Sequence, residues 1–377
     1  MVHGSHRAPP LAPELPAGVA SALAKAEPFL LRASHEVRLL GAVTPTNVRE
    51  ERERLARRLA GGDAELPVWR YSPIDQRALA RGLLELNLEL RRVDAPLVAL
   101  YAERAEELAL EAELSGCPGK PRFAELARRR FARTEEISAR ALALARERAG
   151  DGPPPAGEAA ASSDGAEPGS LLNRLREEIG RRRVPFTVRV VRGLSSLAAT
   201  GERQVLVAEG RALHAEDVER TVLHEIEGHV LPRVLAERER CSLFRIGSAH
   251  GTDDQEGYAL LLEERRGFLG ARRMRELSAR RIAVAAADEG ATFADATRLL
   301  VTRHGFGAEE AVRIAERTFR GGTGGGPGLG RDRVYLESWL RVGDALAERP
   351  WLEGVLARGQ VSVAAAHVLA SYASREA

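Results

Sequence analysis

The chain has 377 residues, 44% of them apolar and 29% charged, a composition that suits a globular protein with a large core. Its 56 basic and 54 acidic residues nearly cancel, so the net charge of +2 supports no nucleic-acid or membrane-surface partner. Cys117 and Cys241 make no disulfide framework, no apolar run reaches the ~18 residues of a membrane span, and the N-terminus lacks a signal-like apolar core; a cytoplasmic protein is expected.

Residues 1–18 are rich in Pro and Ala and are expected to be disordered. From 19 to 149 the pattern is helical: ALARGLLELNLELRRV and AELARRRFARTEEISARALALARERAG repeat apolar residues at three- and four-residue spacing. PVWRYSP, residues 67–73, interrupts this with prolines and two aromatics. The basic runs at 127–133 and 181–183 read as solvated helix faces. GDGPPPAGEAAASSDGAEPG, residues 150–169, reads as a flexible linker or surface loop.

A core region is expected from 170 to 345, with a C-terminal helical segment over 346–377. LLNRLREEIGRRR predicts a helix, and PFTVRVVRG and RQVLVAEG predict strands. AEDVERTVLHEIEGHVL predicts a helix with Glu216 and Asp217 at the positive end of its dipole. TDDQEGYALLLEERRGFLG predicts another, capped by Thr252 or Asp253 and stopped at Gly267 or Gly270. Further helices close the chain, broken by GGTGGGPGLG at 321–330.

HEIEGH, residues 224–229, holds the residue types of a catalytic zinc site, two histidines and a carboxylate directly after the first. The histidines are five apart, however, and on a regular helix that spacing separates them by about 140°. One extra residue taken up as a π-bulge would restore a common face. Gly228 tolerates unusual backbone, and Pro232 lacks the N–H that would bond the Gly228 carbonyl, so a bulge or break is predicted between 228 and 232. Glu256, in the first turn of the next predicted helix, is the best third ligand; Asp253 and Asp254 are weaker candidates, better read as caps. Glu225 is preferred to Glu227 as general base because it directly follows a ligand.

HEIEGH followed by QEGYA resembles the paired motifs of the microtubule-associated tyrosine carboxypeptidases and their bacterial QEGLA-motif relatives, with Tyr258 where the family usually has leucine. PTNVRE (45–50), PVWRYSP, RTFRG (317–321) and RDRVYL (331–336) are similar to weaker family motifs in the same order. The resemblance implies His224, His229 and Glu256 as ligands of one zinc ion per chain and Glu225 as base. It also implies hydrolysis beside a C-terminal aromatic residue, Tyr or Phe, of a peptide or protein.

The expected fold is thus α+β, a predominantly helical, zincin-like metallopeptidase with a small sheet beside the HExxxH helix. A substrate carboxylate needs a guanidinium partner, and Arg317, Arg320, Arg331 and Arg333 flank the glycine-rich loop as candidates. Tyr335 is a candidate hydrogen-bond donor to the substrate or its oxyanion. The glycines of 321–330 offer hinges for a mobile lid. An endo- or aminopeptidase on the same site, or a non-catalytic zinc-containing regulatory or interaction protein, are the alternatives.

Overall fold

A computed structural model of the chain describes residues 14–150 and 158–374. The first half is helical: α1 (Ala17–Glu36), α2 (Leu39–Val43), α3 (Val48–Ala60), α4 (Arg77–Leu90), α5 (Pro96–Ser115), α6 (Phe123–Phe131) and α7 (Glu135–Arg148). Residues 64–76, including PVWRYSP, connect α3 to α4 without helix or strand. Two small sheets follow. β1 (Ala160–Ala161) pairs antiparallel with β5 (Ala212–Leu213), and β2 (Thr187–Val191), β3 (Ala198–Thr200) and β4 (Gln204–Ala208) form a sheet of order β2-β4-β3. β2 is parallel to β4 and β3 antiparallel to it, which leaves the outer side of β3 without a strand partner among the described residues.

The remaining elements are α8 (Leu171–Arg182), α9 (Ala215–Glu225), a π-helical segment (Ile226–Val230), α10 (Leu231–Ala236), α11 (Leu243–Ile246), α12 (Gly251–Arg265), α13 (Ala271–Asp288), α14 (Phe293–His304), α15 (Ala308–Phe319), α16 (Arg333–Glu348), α17 (Glu353–Leu356) and α18 (Val363–Leu369). The architecture is α+β and mostly helical. Among the described residues no helix is long and apolar enough to cross a membrane.

The small sheet and the HExxxH helix share one apolar layer. Val205 and Val207 of β4 face Leu171, Leu175 and Ile179 of α8 and Val218, Val222, Ile226 and Val230. The last four recur every fourth residue, so they form one stripe through α9 and the π segment. Each side chain so buried contributes about 1.5–3 kcal/mol. Burying that stripe turns the histidines to the opposite, cavity side.

Two expectations differ from the observed course. Residues 158–169 of the expected linker are tied down rather than loose: Ser162 is fully buried, its N–H bonds Arg211 O at 2.7 Å, and Ser170 caps α8; residues 151–157 lie outside the described residues, as do residues 1–13 of the expected disordered terminus. The basic run at 127–133 is not a solvated face throughout. Arg130 is 2% exposed and bonds Glu111 and Asp253, with Arg133 also on Asp253. One apolar cluster joins α1, α4 and α5 to α11, α12, α16 and α18.

Candidate active site

His224 and His229 meet because the helix takes up its extra residue as a full π turn, Ile226–Val230, within which the Leu231 N–H bonds Ile226 O. The turn lies before Pro232 and helix continues through the proline as α10, so the distortion begins slightly earlier than the sequence suggested and involves no break. Gly228 is needed here for closeness. A Cβ on it would lie 2.5 Å from Ala259 Cβ, so only glycine lets the π turn rest against α12.

That contact brings Glu256 to the histidines. The three donor atoms face one point: His224 Nε2 to His229 Nε2 is 3.2 Å, His224 Nε2 to Glu256 Oε2 is 3.4 Å, and His229 Nε2 to Glu256 Oε2 is 3.8 Å. Bonds of 2.0–2.2 Å to one tetrahedral ion would space donors by roughly 3.3–3.5 Å. Two imidazoles and a carboxylate at this spacing fit a zinc ion in number, type and distance.

Each ligand candidate is held from behind. His224 Nδ1 is 2.7 Å from Glu263 Oε1, and Glu263 in turn accepts from Arg273 at 3.0 Å. His229 Nδ1 is 3.0 Å from Gln255 Oε1, which fixes the ring with Nε2 inward. Glu256 turns Oε2 to the histidines and takes Arg331 Nη2 on Oε1 at 3.1 Å. Burial opposes charge on His224, but the bonds to Glu256 and Glu263 outweigh it and push its pKa up to about 10. Burial also opposes ionisation of Glu256, and His224, His229 and Arg331 hold it well below the usual carboxylate range. Burial moves His229 the other way, below the ordinary histidine value, with the charge of Glu256 opposing it.

QEGYA accounts for itself residue by residue. Gln255 orients His229, Glu256 joins the donor set, and Tyr258 is buried in the core. A Cβ on Gly257 would overlap the Ser338 backbone of α16, and Ala259 meets Gly228. Asp253 and Asp254 do not cap α12, whose N-cap is His250. They tether its first turn instead, Asp253 to Arg130 at 2.8 Å and Asp254 to the Val363 N–H at 2.8 Å.

Glu225 lines the same cavity, of about 480 Å³, and its Oε2 accepts from Thr200 Oγ1 at 2.6 Å. Glu227 points away from it, bonded to Arg182 at 2.9 Å. The cavity runs along β3, from Ser195 to Gly201.

The four candidate arginines separate. Arg317 is bound bidentately by Asp332, at 2.6 and 2.7 Å, and reaches the Tyr335 hydroxyl at 3.3 Å. Arg331 is engaged by Glu256, as above. Arg333 lies outside the cavity, its guanidinium 2.7 Å from Asp288. Arg320 is 4% exposed, its Nε is buried with no partner, and its hydrogen bond is a 3.4 Å one to Ser195 Oγ. Burial, then the like charge of Arg317, bring its pKa down to about 10. Tyr335 lines the cavity beside these groups.

The glycine-rich loop is not built as a lid. Gly321 and Gly324 have φ of 81° and 85°, the Tyr71 hydroxyl accepts from the Gly321 N–H at 2.9 Å and donates to Gly322 O at 2.8 Å, and Pro67 packs on Gly324. Leu329 N–H bonds Arg320 O at 2.9 Å, closing the loop at its base. The PVWRYSP segment thus clamps the loop, and the closed base sets Arg320 and Arg331 beside one another in the cavity wall.

Glu263, Thr200, Ser195 and Arg233 also belong to the site and were not singled out by sequence. Glu263 had a usable signal, since it lies seven residues after Glu256, two turns along the same helix face. Arg233, four residues after His229 on the continuing helix, had the same kind of signal, whereas Thr200 and Ser195 carried none, because they come from a short strand and the loop before it.

Two imidazoles, a carboxylate donor and a second cavity carboxylate are the residues from which metal-dependent hydrolases build their centres. The chain belongs to a defined family: the model described as microtubule-associated tyrosine carboxypeptidase matches residues 57–376. No curated protein matches it.

Proposed function

We propose that this chain is a zinc-dependent carboxypeptidase that removes a C-terminal residue, tyrosine or phenylalanine, from a peptide or protein. Family membership supports the carboxypeptidase activity. The observation that carries the zinc dependence is the convergence of His224, His229 and Glu256 within 3.8 Å of one another, beside Glu225.

A zinc ion held by these three residues would supply a Lewis acid that polarises the scissile carbonyl and lowers the pKa of a water. Thr200 engages one oxygen of Glu225; the other takes the proton of the attacking water and delivers it to the leaving amine. The free edge of β3 can pair with an extended substrate. Arg320 binds the terminal carboxylate, because it is the one of the four arginines without a carboxylate partner among the described residues. Arg317, locked by Asp332, orients the Tyr335 hydroxyl toward the reacting carbonyl. Arg331 holds Glu256 in its inward rotamer.

The test is metal analysis of the purified protein together with mass spectrometry of products from peptides with free and amidated C-termini. Stoichiometric zinc and cleavage of the free set alone are expected. Absence of a divalent metal, or equal cleavage of amidated peptides, overturns the reading. Glu225→Gln should retain zinc and lose most turnover.

A further inference from the structure

The C-terminal segment brings to the cavity a residue that no sequence motif marks. Gln360, in the turn between α17 and α18, lines the same cavity as His224, His229 and Glu256. The turn is neither helix nor strand, yet it is pinned from several sides. The Gln360 carbonyl accepts from the Ser248 N–H at 2.9 Å, the Ser362 N–H bonds Ser248 Oγ at 2.8 Å, and Arg358 reaches Glu239 at 2.7 Å. Two glycines permit this approach. A Cβ on Gly251 would lie 1.9 Å from the Gln360 carbonyl oxygen, and one on Gly359 would lie 2.4 Å from the Phe244 carbonyl oxygen. Contacts so close on both sides fix where the Gln360 side chain enters the cavity.

What it meets there is Gln255. Gln360 Nε2 donates to Gln255 Oε1 at 3.4 Å, and Gln255 Nε2 donates to the Gly359 carbonyl at 3.5 Å. Gln255 is 3% exposed, so water does not stand in for either partner. Its amide has one acceptor end and one donor end. Reversed, it would set oxygen against the Gly359 carbonyl and NH2 against the NH2 of Gln360, leaving buried polar groups unpaired. Both bonds are long, and they act through the orientation they select. With Oε1 toward His229 at 3.0 Å, Nδ1 carries the ring proton and Nε2 keeps its lone pair for an ion. The reversed amide would offer an N–H to Nδ1, send the proton to Nε2 and take the ring out of the donor set.

We propose that Gln360 is a positioning residue: acting through Gln255, it holds His229 in the tautomer that can bind a metal ion. This rests on the zinc reading of the same donor set.

The experiment measures zinc affinity by chelator competition for the parent, Gln360→Met, Gln255→Ala and the double variant. It also records visible absorption of the cobalt(II)-loaded proteins, which reports the geometry of the donor set. Methionine keeps the side-chain length and the backbone contacts of the turn while removing the donor. Gln360→Met is expected to lose about tenfold in zinc affinity, with an unchanged circular dichroism spectrum and altered cobalt bands. On the Gln255→Ala background the same change should cost less than about twofold, because the group through which Gln360 acts is gone. Three results each overturn the proposal: an affinity within about twofold of the parent's, unchanged cobalt bands, or a loss of about tenfold that persists on the Gln255→Ala background. Hydrolysis of a peptide ending in tyrosine is followed with the zinc-saturated parent. If affinity depends on Gln360 but no peptide is cleaved, the positioning role stands and the carboxypeptidase reading falls. A parent that binds zinc and cleaves, with Gln360→Met its equal, overturns the positioning role alone; a parent that takes up neither metal overturns both.

Discussion

Gly228 and Ala259 touch so closely that a single methyl group on the glycine would lie 2.5 Å from the alanine Cβ. One residue sits in the π turn between the two histidines and the other on the helix that carries Glu256, so the contact sets the distance between the two halves of the donor set. Gly228→Ala should therefore push α12 outward, with an overpacking cost of about 1–3 kcal/mol. The expected result is a folded protein, by circular dichroism, whose zinc affinity falls at least tenfold. Pairing it with Ala259→Gly, which vacates the space, should restore part of that affinity. Unchanged zinc affinity in Gly228→Ala would show that the contact does not set the site.

The bond from His229 Nδ1 to Gln255 is a separate determinant of the centre. Removing such a partner of a ligating histidine commonly costs ~10–100-fold in metal affinity. Gln255→Ala is expected in that range by competition with a chromophoric chelator. Gln255→Glu, which keeps an acceptor for the ring, should lose less.

Arg320 and Arg333 make opposite forecasts although they are thirteen residues apart on one loop and the helix after it. Arg320→Met should lower kcat/KM on peptides with a free C-terminus by on the order of 10- to 150-fold, as expected for a lost charged hydrogen bond. Its thermal midpoint should not fall, because the change removes a buried cation without a carboxylate partner. Arg333→Met, whose parent side chain is spent on Asp288, should leave kcat/KM within about twofold. Steady-state kinetics of the two variants decide between the assignments.

Asp253 anchors the first turn of α12 and gives the fold an acid-sensitive point. Burial alone would raise its pKa; the charge of Arg130, the hydrogen bond to His250 and the charge of Arg133 override this and hold it well below the ordinary value. Its folded pKa is below its unfolded value of about 3.9, so its contribution is fully present above that pH and is lost as the pH falls toward the folded value. Thermal midpoints should drop below about pH 4. Asp253→Asn should lower stability at neutral pH by roughly 3–5 kcal/mol, since it leaves Arg133 unmatched and Arg130 with Glu107 and Glu111 alone, and should flatten the acid limb. An acid limb identical to the parent's would assign the sensitivity elsewhere.

Much of the site was legible because its parts are local. His224, Glu225 and His229 lie in one helix turn, and their five-residue spacing, with Pro232 following, demanded a bulge. Glu256 stood out as the first acid of a helix apart from its two capping-like aspartates. Local pattern also gave α8, β2, β4 and the helical N-terminal half. It did not give β3, three residues of Ala, Ala and Thr with no alternation to mark them, nor the burial of Arg130, since a basic run reads as solvated until a remote Asp253 is placed against it.

What tertiary structure alone decided is which charge meets which. From the sequence the four arginines near the glycine-rich loop were equivalent. Only packing shows that Asp332, Glu256 and Asp288 consume three of them and leave Arg320 open to the cavity. The loop's role likewise depended on Tyr71, some 250 residues away in the chain, which clamps it. The candidate donor set follows from residue type and helical period, both written along the chain. Partnering of charges depends on distances across the fold, which residue type and period do not encode.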